Sequence, residues 1–237
     1  MLLFPLTIFG QEVKEVVHEK NNSGESEDYY VLKSDPNIKH GRYRVYGYKK
    51  ALLVNGYYKN GEKDSLWTTY YWGGKVMETK GSYSHGKLIG TWDYYTYDGK
   101  LDQQYNYDSS KVVFARVKEE DANKKVRVIS GADTVVEKLD RVPIYIGGSV
   151  MGTKAFSEIR YPAQAKDNGI QGTVMVSFFI DTNGKASHHH VQKGIGGGCD
   201  EEALKAVKRI PDNWVPAVVG GKAVTVEWEV PVMFRIN

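Results

Sequence analysis

Residues 194–207 read GIGGGCDEEALKAV and combine glycines with a helical pattern, as phosphate-binding loops do. A phosphate cradle needs a lysine or bare N–H groups aimed at the anion, and no lysine directly follows these glycines. Instead Asp200, Glu201 and Glu202 fill the first helical turn. Their charge suits the positive end of a helix but would repel a phosphate. The pattern predicts a hinge between two elements.

The other chemically notable residues are His188, His189, His190 and the single cysteine, Cys199. Neighbours in a strand point to opposite faces, so only His188 and His190 can converge, and zinc normally takes three or four ligands. Cys199 lacks an adjacent base and is flanked by carboxylates, which predicts a residue at a helix start and not a nucleophile. No G-x-S-x-G, H-E-x-x-H or kinase motif occurs. We expect no enzyme, no catalytic residue, no cofactor and no bound metal; a metal-dependent hydrolase using the histidines is the alternative.

Length, cysteine count and net charge limit the domain number, the cross-links and the partners that this chain can have. The 237 residues are enough for two domains, and one cysteine excludes an intrachain disulfide. The net charge of +3 is mild and well mixed, so nucleic acid is not an expected partner.

The first ten residues, MLLFPLTIFG, form an apolar run followed by a polar stretch. This fits the hydrophobic part of a secretory signal, truncated because the basic leader is missing. A short buried N-terminal strand is the alternative. No apolar run is long enough for a spanning helix of about twenty residues.

Residues 56–75 and 81–100 are two copies of one unit, and HGRYRVYGYKK is a weaker earlier copy. Asn60-Gly61, Gly73-Gly74 and Asp98-Gly99 are turn signals between aromatic-rich strands, which predicts stacked hairpins. The matched positions are Gly56/Gly81, Tyr58/Tyr83, Gly61/Gly86, Trp67/Trp92, Tyr70/Tyr95, Gly74/Gly99 and Lys75/Lys100.

These residues resemble MORN-type repeats, from about Tyr29 to Tyr107. The resemblance implies a scaffold or binding surface. The aromatic array could stack on glycan or peptidoglycan; the favoured interpretation is that its rings fill the core shared between hairpins.

The C-terminal part predicts the order helix, strand, strand, helix, strand. Pro162 opens a helix that ends at Asn168-Gly169, and residues 172–181 alternate like a strand with one apolar face. Residues 185–193 return as its partner, Cys199 to Ile210 has helical spacing, and residues 220–237 contain a long last strand. The fold class is therefore α+β: an all-β array of stacked hairpins, then a small α-β-β-α-β domain with a three-stranded antiparallel sheet.

Residues 155–237 resemble the C-terminal domain of TonB-family proteins. The resemblance lies in Tyr161-Pro162, the D-x-x-G hairpin of residues 172–193, the glycine-to-acidic-helix joint and Trp214-Val215-Pro216. The glycine-rich joint is typical of the Bacteroidetes branch. The expected domains are a signal at 1–10, a polar segment at 11–27, MORN-like repeats at 28–110, a β-containing linker at 111–140 and the TonB-like domain at 141–237.

An edge strand can accept an extended peptide as one more strand. In this topology we expect the last strand to be an edge. The resemblance implies that it grips the TonB box of an outer-membrane transporter. The implied peptide-binding residues are Tyr161, Pro162, Val224, Thr225, Val226, Glu227, Trp228, Glu229, Val230 and Val232. Glu227 and Glu229 also fit charges that protect an open edge from aggregation.

The departure from the family lies at the N-terminus, where a full transducer has a membrane-spanning helix. We therefore expect a periplasmic adaptor in the cell envelope that docks to TonB-dependent transporters, with strand-swapped homodimers possible. The alternatives are a glycan-binding envelope scaffold and, if the start is truncated, a membrane-anchored energy transducer.

Overall fold

A computed structural model of the chain describes residues 7–8, 11–18, 24–131, 133–148 and 156–236. The chain divides into two compact units, residues 1–114 and 115–237. The predicted signal falls mostly outside the described residues. Within it, Thr7–Ile8 form a short strand that pairs with Gln11 and Glu12.

The first unit is a ten-stranded sheet in which each strand lies beside the one before it. A 3-10 turn, Tyr48–Lys50, joins the fourth and fifth strands. The strands are β1 Thr7–Ile8, β2 Gln11–His18, β3 Ser26–Leu32, β4 Lys39–Tyr46, β5 Leu52–Lys59, β6 Glu62–Tyr70, β7 Met77–Ser84, β8 Lys87–Tyr95, β9 Leu101–Asn106 and β10 Lys111–Ala115.

The predicted turns lie between these strands. Asn60 and Gly61 have φ of 50° and 85° and join β5 to β6, as expected for a two-residue turn that needs positive φ twice. Gly73-Gly74 and Asp98-Gly99 lie in the longer turns after β6 and β8. The repeated hairpins are confirmed as a continuous antiparallel sheet, whereas the resemblance to MORN-type repeats stays a prediction.

The repeated tryptophans pack on the repeated glycines of the preceding strand. A Cβ atom added to Gly56 would lie 2.2 Å from the Trp67 ring, and one added to Gly81 would lie 2.1 Å from the Trp92 ring. The indole N–H groups donate to the Tyr57 and Ser82 carbonyls, both at 3.1 Å. Both tryptophans are buried, so they fill the core of the sheet face, as favoured from the sequence.

The second unit contains a six-stranded sheet of order β12-β11-β18-β14-β15, with β17 also on β18, and a separate pair of β13 and β16. In chain order its elements are α1 Glu119–Asn123, β11 Lys125–Ser130, β12 Asp133–Lys138, β13 Ile144–Tyr145, α2 Ala163–Asp167, β14 Gly172–Ile180, β15 Ala186–Lys193, α3 Cys199–Lys208, β16 Trp214–Val215, β17 Ala217–Val219 and β18 Lys222–Phe234.

The core of this unit lies between the sheet and α3. On β14 the apolar residues Val174, Val176, Phe178 and Ile180 are at most 1% exposed, as the predicted apolar face requires, and Ser177 is fully buried as well. Helix α3 packs on β14, β15 and β18. It buries Cys199, Ala203, Ala206 and Val207.

The predicted order α-β-β-α-β occurs as α2, β14, β15, α3 and β18. The predicted number of strands, three, is too small, because β11, β12 and β17 belong to the same sheet. Residues 111–140 are not a separate linker: β10 belongs to the first sheet and β11 and β12 to the second. Within this segment the residues VVFARV (112–117) and KVRVI (125–129) have the pattern of strands, but the pattern does not name their partners.

Candidate functional site

Strand β18, the predicted peptide-binding strand, is paired along one side over most of its length. Its partner is β14, with a register that runs from Phe234 opposite Gly172 to Val226 opposite Ile180. Any added peptide strand would therefore have to take the other side, called here the outer side of β18.

The first part of the outer side already has partners. There Thr225 and Val226 pair with Ile129 and Val128 of β11. Before them, Lys222 to Val224 form a tight hairpin with β17. The expectation that the last strand is an edge is wrong for this stretch, which includes the predicted site residues Thr225 and Val226. The physical reason is that the middle segment contributes a hairpin whose backbone groups satisfy those of β18.

The next stretch is held by ion pairs to the segment that carries β11. Arg127 contacts Glu227 at 2.9 Å, and Lys124 Nζ donates to Glu229 Oε2 at 2.6 Å. Lys124 Nζ also lies 5.8 Å from the centroid of the buried Trp228 ring. The two glutamates therefore do not guard an open edge; they pair with the neighbouring segment.

Sequence reasoning missed Lys124 and Arg127. A signal was present, because the strand pattern KVRVI and the lysine before it carry basic residues while β18 carries two acidic ones at alternate positions. Opposite charges on neighbouring strands stabilise their pairing. Nothing in the sequence, however, specified that these two strands are neighbours.

The last stretch, Val230 to Phe234, is different. Among the described residues, β14 is its only strand partner. Pro231 and Met233 are exposed, the latter by 60%, whereas Val232 and Phe234 are buried in the core. Pro231 has no N–H, so this stretch offers more backbone acceptors than donors on its outer side.

Tyr161 and Pro162 lie near the end of this stretch. The Tyr161 ring meets Phe234 edge to face, with 5.6 Å between centroids, and its hydroxyl donates to the Ile170 carbonyl at 2.5 Å. Pro162 precedes α2, and a Cβ atom on Gly198 would lie 3.2 Å from it. Of the predicted site residues, the structure thus brings Tyr161 close to the end of β18 but places Val224 at the opposite end.

The glycine-rich segment is closed by its own acidic residue. The Asp200 carboxylate accepts N–H bonds from Ile195 at 2.8 Å and Gly196 at 3.2 Å. Gly197 approaches Ala165 of α2, where a Cβ atom would lie 3.1 Å from the alanine Cβ. The N–H groups of Ile195 and Gly196 are thus already bonded to a carboxylate, and the glycines allow the segment to pass close to α2.

The three histidines divide between the faces of the sheet as expected for a strand. His189 stacks on the buried Phe178, with 5.0 Å between ring centroids, and its pKa is lowered by burial. His188 lies against Phe179, and His190 Nε2 lies 3.5 Å from Glu227. In the part of the chain that the structure describes, no group of three or more potential metal ligands comes together.

Cys199 is the first residue of α3 and is fully buried. Burial raises the pKa of its thiol, and the neighbouring Asp200 and Glu201 raise it further. A protonated, inaccessible thiol is a poor nucleophile. Cys199 therefore acts here as a small core residue.

No helix in the described ranges has the length and apolar character to cross a bilayer.

Comparison with known proteins gives a family match within the C-terminal unit. Residues 157–236 match the family model described as Gram-negative bacterial TonB protein C-terminal. Over 78 residues the chain is 40% identical to Protein tonB2 of Pseudomonas aeruginosa. The match covers 32% of this chain and 28% of that protein, so the chain spans less than a third of the curated relative's length. Residues 157–236 of this chain are therefore a TonB C-terminal domain.

Proposed function

We propose that the C-terminal unit binds an extended peptide of an outer-membrane transporter in the periplasm, by adding it as a strand to the outer side of β18 between Val230 and Phe234. The observation that carries this proposal is a TonB C-terminal domain whose long last strand keeps one stretch with β14 as its only strand partner in the described chain. Membership of this family relates the protein to transport across the outer membrane. Backbone hydrogen bonds would supply most of the affinity.

Side chains at the same stretch support the proposal. Pro231 and Met233 offer exposed apolar surface on one face, and Val232 and Phe234 anchor the strand in the core on the other. Tyr161 packs against Phe234 and fixes the end of the strand. The proposed site therefore keeps Tyr161, Pro162, Val230 and Val232 of the sequence-based set and adds Met233. It leaves out Thr225 and Val226, which pair with β11, and Val224, which pairs with β17. It also leaves out the ion-paired Glu227 and Glu229 and the buried Trp228 between them.

A binding experiment with the full chain tests the proposal. The probe is a synthetic peptide copied from the periplasmic N-terminal segment of an outer-membrane transporter, titrated by calorimetry and by NMR. We expect shifts at Val230–Phe234 and Tyr161. Methylating alternate peptide nitrogens should weaken binding by about tenfold or more, because each methyl removes a backbone donor.

A matched pair of variants locates the site. Met233→Asp places a charge in the proposed contact and should weaken binding by about tenfold, since a carboxylate is costly to bury. Val136→Asp is the control: Val136 is 64% exposed, similar to Met233 at 60%, but lies on β12. The proposal is contradicted if the NMR shifts are confined to β12 or β15, or if the N-methylated peptide binds as tightly as the unmodified one. It is also contradicted if only the control variant Val136→Asp weakens binding.

A further inference from the structure

Three aromatic side chains at the turns of the first unit are largely exposed. Tyr48, Trp72 and Tyr97 have exposed fractions of 68%, 77% and 71%. They lie in the turns that follow β4, β6 and β8, at residues 47–51, 71–76 and 96–100. Because these strands alternate in direction with their neighbours, all three turns emerge at the same end of the sheet. The three turns are called here the turn ledge.

The spacing along the ledge is regular. Successive turns are separated by two strands of the sheet, and neighbouring strands lie about 4.8 Å apart, so the exposed rings recur about every 10 Å. A ligand that contacts all three rings must therefore be an extended chain with a repeating unit of similar length. A single small molecule could contact only one of them.

Contacts between turns hold the ledge in place. A Cβ atom on Gly74 would lie 2.8 Å from the Leu52 backbone nitrogen, so the second turn packs directly on the first. The Tyr71 ring meets the Tyr97 ring edge to face at 5.2 Å, and the Tyr71 hydroxyl donates to the Tyr95 carbonyl at 2.6 Å. The Tyr97 ring, supported in this way, loses little conformational entropy when a ligand stacks on it.

The ledge is positively charged. Its turns contain four lysines and one aspartate: Lys49, Lys50, Lys75, Lys100 and Asp98. Asp98 pairs with Lys100 at 2.6 Å, and Lys49 Nζ lies 5.3 Å from the centroid of the Tyr48 ring. The charge excess favours a ligand that carries negative groups.

The rings on the sheet face are less suited to the same task. Trp67 and Trp92 are buried, and lysines already lie over neighbouring rings: Lys63 over Trp67 at 4.5 Å and Lys39 over Tyr43 at 4.5 Å. The cleft on this face measures about 240 Å³ and is lined by these packed rings. Exposed aromatic surface is therefore concentrated in the turns.

We propose that the turn ledge binds an acidic polysaccharide, with sugar rings stacked on Tyr48, Trp72 and Tyr97 and acidic groups near the lysines. The apolar C–H face of a pyranose suits the electron-rich face of an aromatic ring. A disaccharide repeat has a length close to the ring spacing, and the lysines match its carboxylate or phosphate groups. This site is independent of the proposed peptide-binding stretch.

The full chain is tested on immobilised polygalacturonate, with dextran as a neutral polymer of similar chemistry. We expect retention on the acidic polymer alone, decreasing as salt is raised. The Tyr48→Ala/Trp72→Ala/Tyr97→Ala variant should lose at least about tenfold in affinity, because three stacking contacts are removed. Exposed side chains are chosen so that folding, checked by circular dichroism, is unchanged.

A second variant tests the charge and a third serves as a control. Lys49→Gln/Lys50→Gln/Lys75→Gln should weaken binding and reduce its salt dependence. Leu66→Ala/Ile89→Ala removes exposed apolar side chains of β6 and β8 that lie outside the ledge and should change nothing. The proposal is overturned if the chain does not bind polygalacturonate, if the aromatic variant binds equally well, or if phosphatidylglycerol vesicles or a single-stranded oligonucleotide bind in preference through the same residues.

Discussion

Three consecutive histidines have three different environments, which shows how far residue type alone leaves the chemistry open. His188 and His190 lie on the face of Phe179 and Glu227, and His189 lies on the opposite face against Phe178. Alternation in β15 was sufficient to predict this division. The partial burial of His189 against Phe178, near Lys208 and Asp212, was not predictable, because it depends on residues distant in sequence.

His189 should make the second unit sensitive to acid. Burial lowers the pKa of its ring below the usual 6.5; Lys208 lowers it further, and Asp212 opposes the shift. The folded state therefore binds the proton less readily than the unfolded state, so stability should fall as pH drops through about 6.5 and level off below the folded pKa. Denaturant unfolding at several pH values measures this. His189→Phe keeps the stacked ring and should make the free energy of unfolding less dependent on pH. If the pH dependence of this variant is unchanged, His189 is not the group responsible.

At the scale of elements, the two strands of each repeated hairpin are held together by a tryptophan that covers a glycine on the neighbouring strand. The pairs are Trp67 with Gly56 and Trp92 with Gly81. Both members recur at one fixed spacing in the sequence, so the repeat was visible in advance. The structural role of the repeat was not visible in the sequence. The glycine has no side chain, so the indole ring can lie directly on its backbone.

Gly81→Ala should destabilise the first unit by about 1–3 kcal/mol, since the new methyl would displace the Trp92 ring in a packed site. The φ angle plays no part, because Gly81 is not among the positive-φ glycines. Thermal unfolding followed by tryptophan fluorescence gives the measurement. Ser82→Ala, one residue further on the same strand, should stay within about 0.5 kcal/mol. Equal effects of the two substitutions would show that the glycine is not needed for the ring.

At the scale of the whole molecule, the boundary between the two units lies after Phe114, within the segment 111–140 that the sequence predicted as a linker. The reason is that β11 and β12 belong to the second sheet. Val126 and Val128 of β11 are 5% and 4% exposed and join the core around Phe178 and Trp228. The TonB C-terminal domain thus has a hairpin added on the outer side of its last strand.

Two fragments should therefore differ in stability. Residues 115–237 contain the complete second unit and should fold alone. Residues 141–237 lack the burial of Val126 and Val128, worth about 1.5–3 kcal/mol each, and should be less stable by about 3–6 kcal/mol. Urea unfolding of both fragments compares them, and the shorter fragment should also associate through the uncovered side of β18. Equal unfolding free energies would mean that the hairpin is dispensable.

The sequence by itself determined the local structure of this protein. Alternating apolar residues specified β14 and β18, glycines and asparagines specified the turns, and the spacing of Ala203 and Val207 specified α3, because each depends only on nearby residues. The motifs around Tyr161 and the glycine-rich joint were specific enough to identify the TonB C-terminal domain.

Only the tertiary structure decided which backbone groups of β18 remain available. Hydrogen bonding between strands uses main-chain groups that are the same in every residue, so a strand pattern such as KVRVI does not name its partner. The structure assigns that strand to the first part of the outer side of β18 and leaves Val230 to Phe234 with β14 as the one described strand partner. Likewise it packs the aromatic rings of the strands against one another, whereas Tyr48, Trp72 and Tyr97 stay exposed because their turns lie at the end of the sheet, beyond the paired strands.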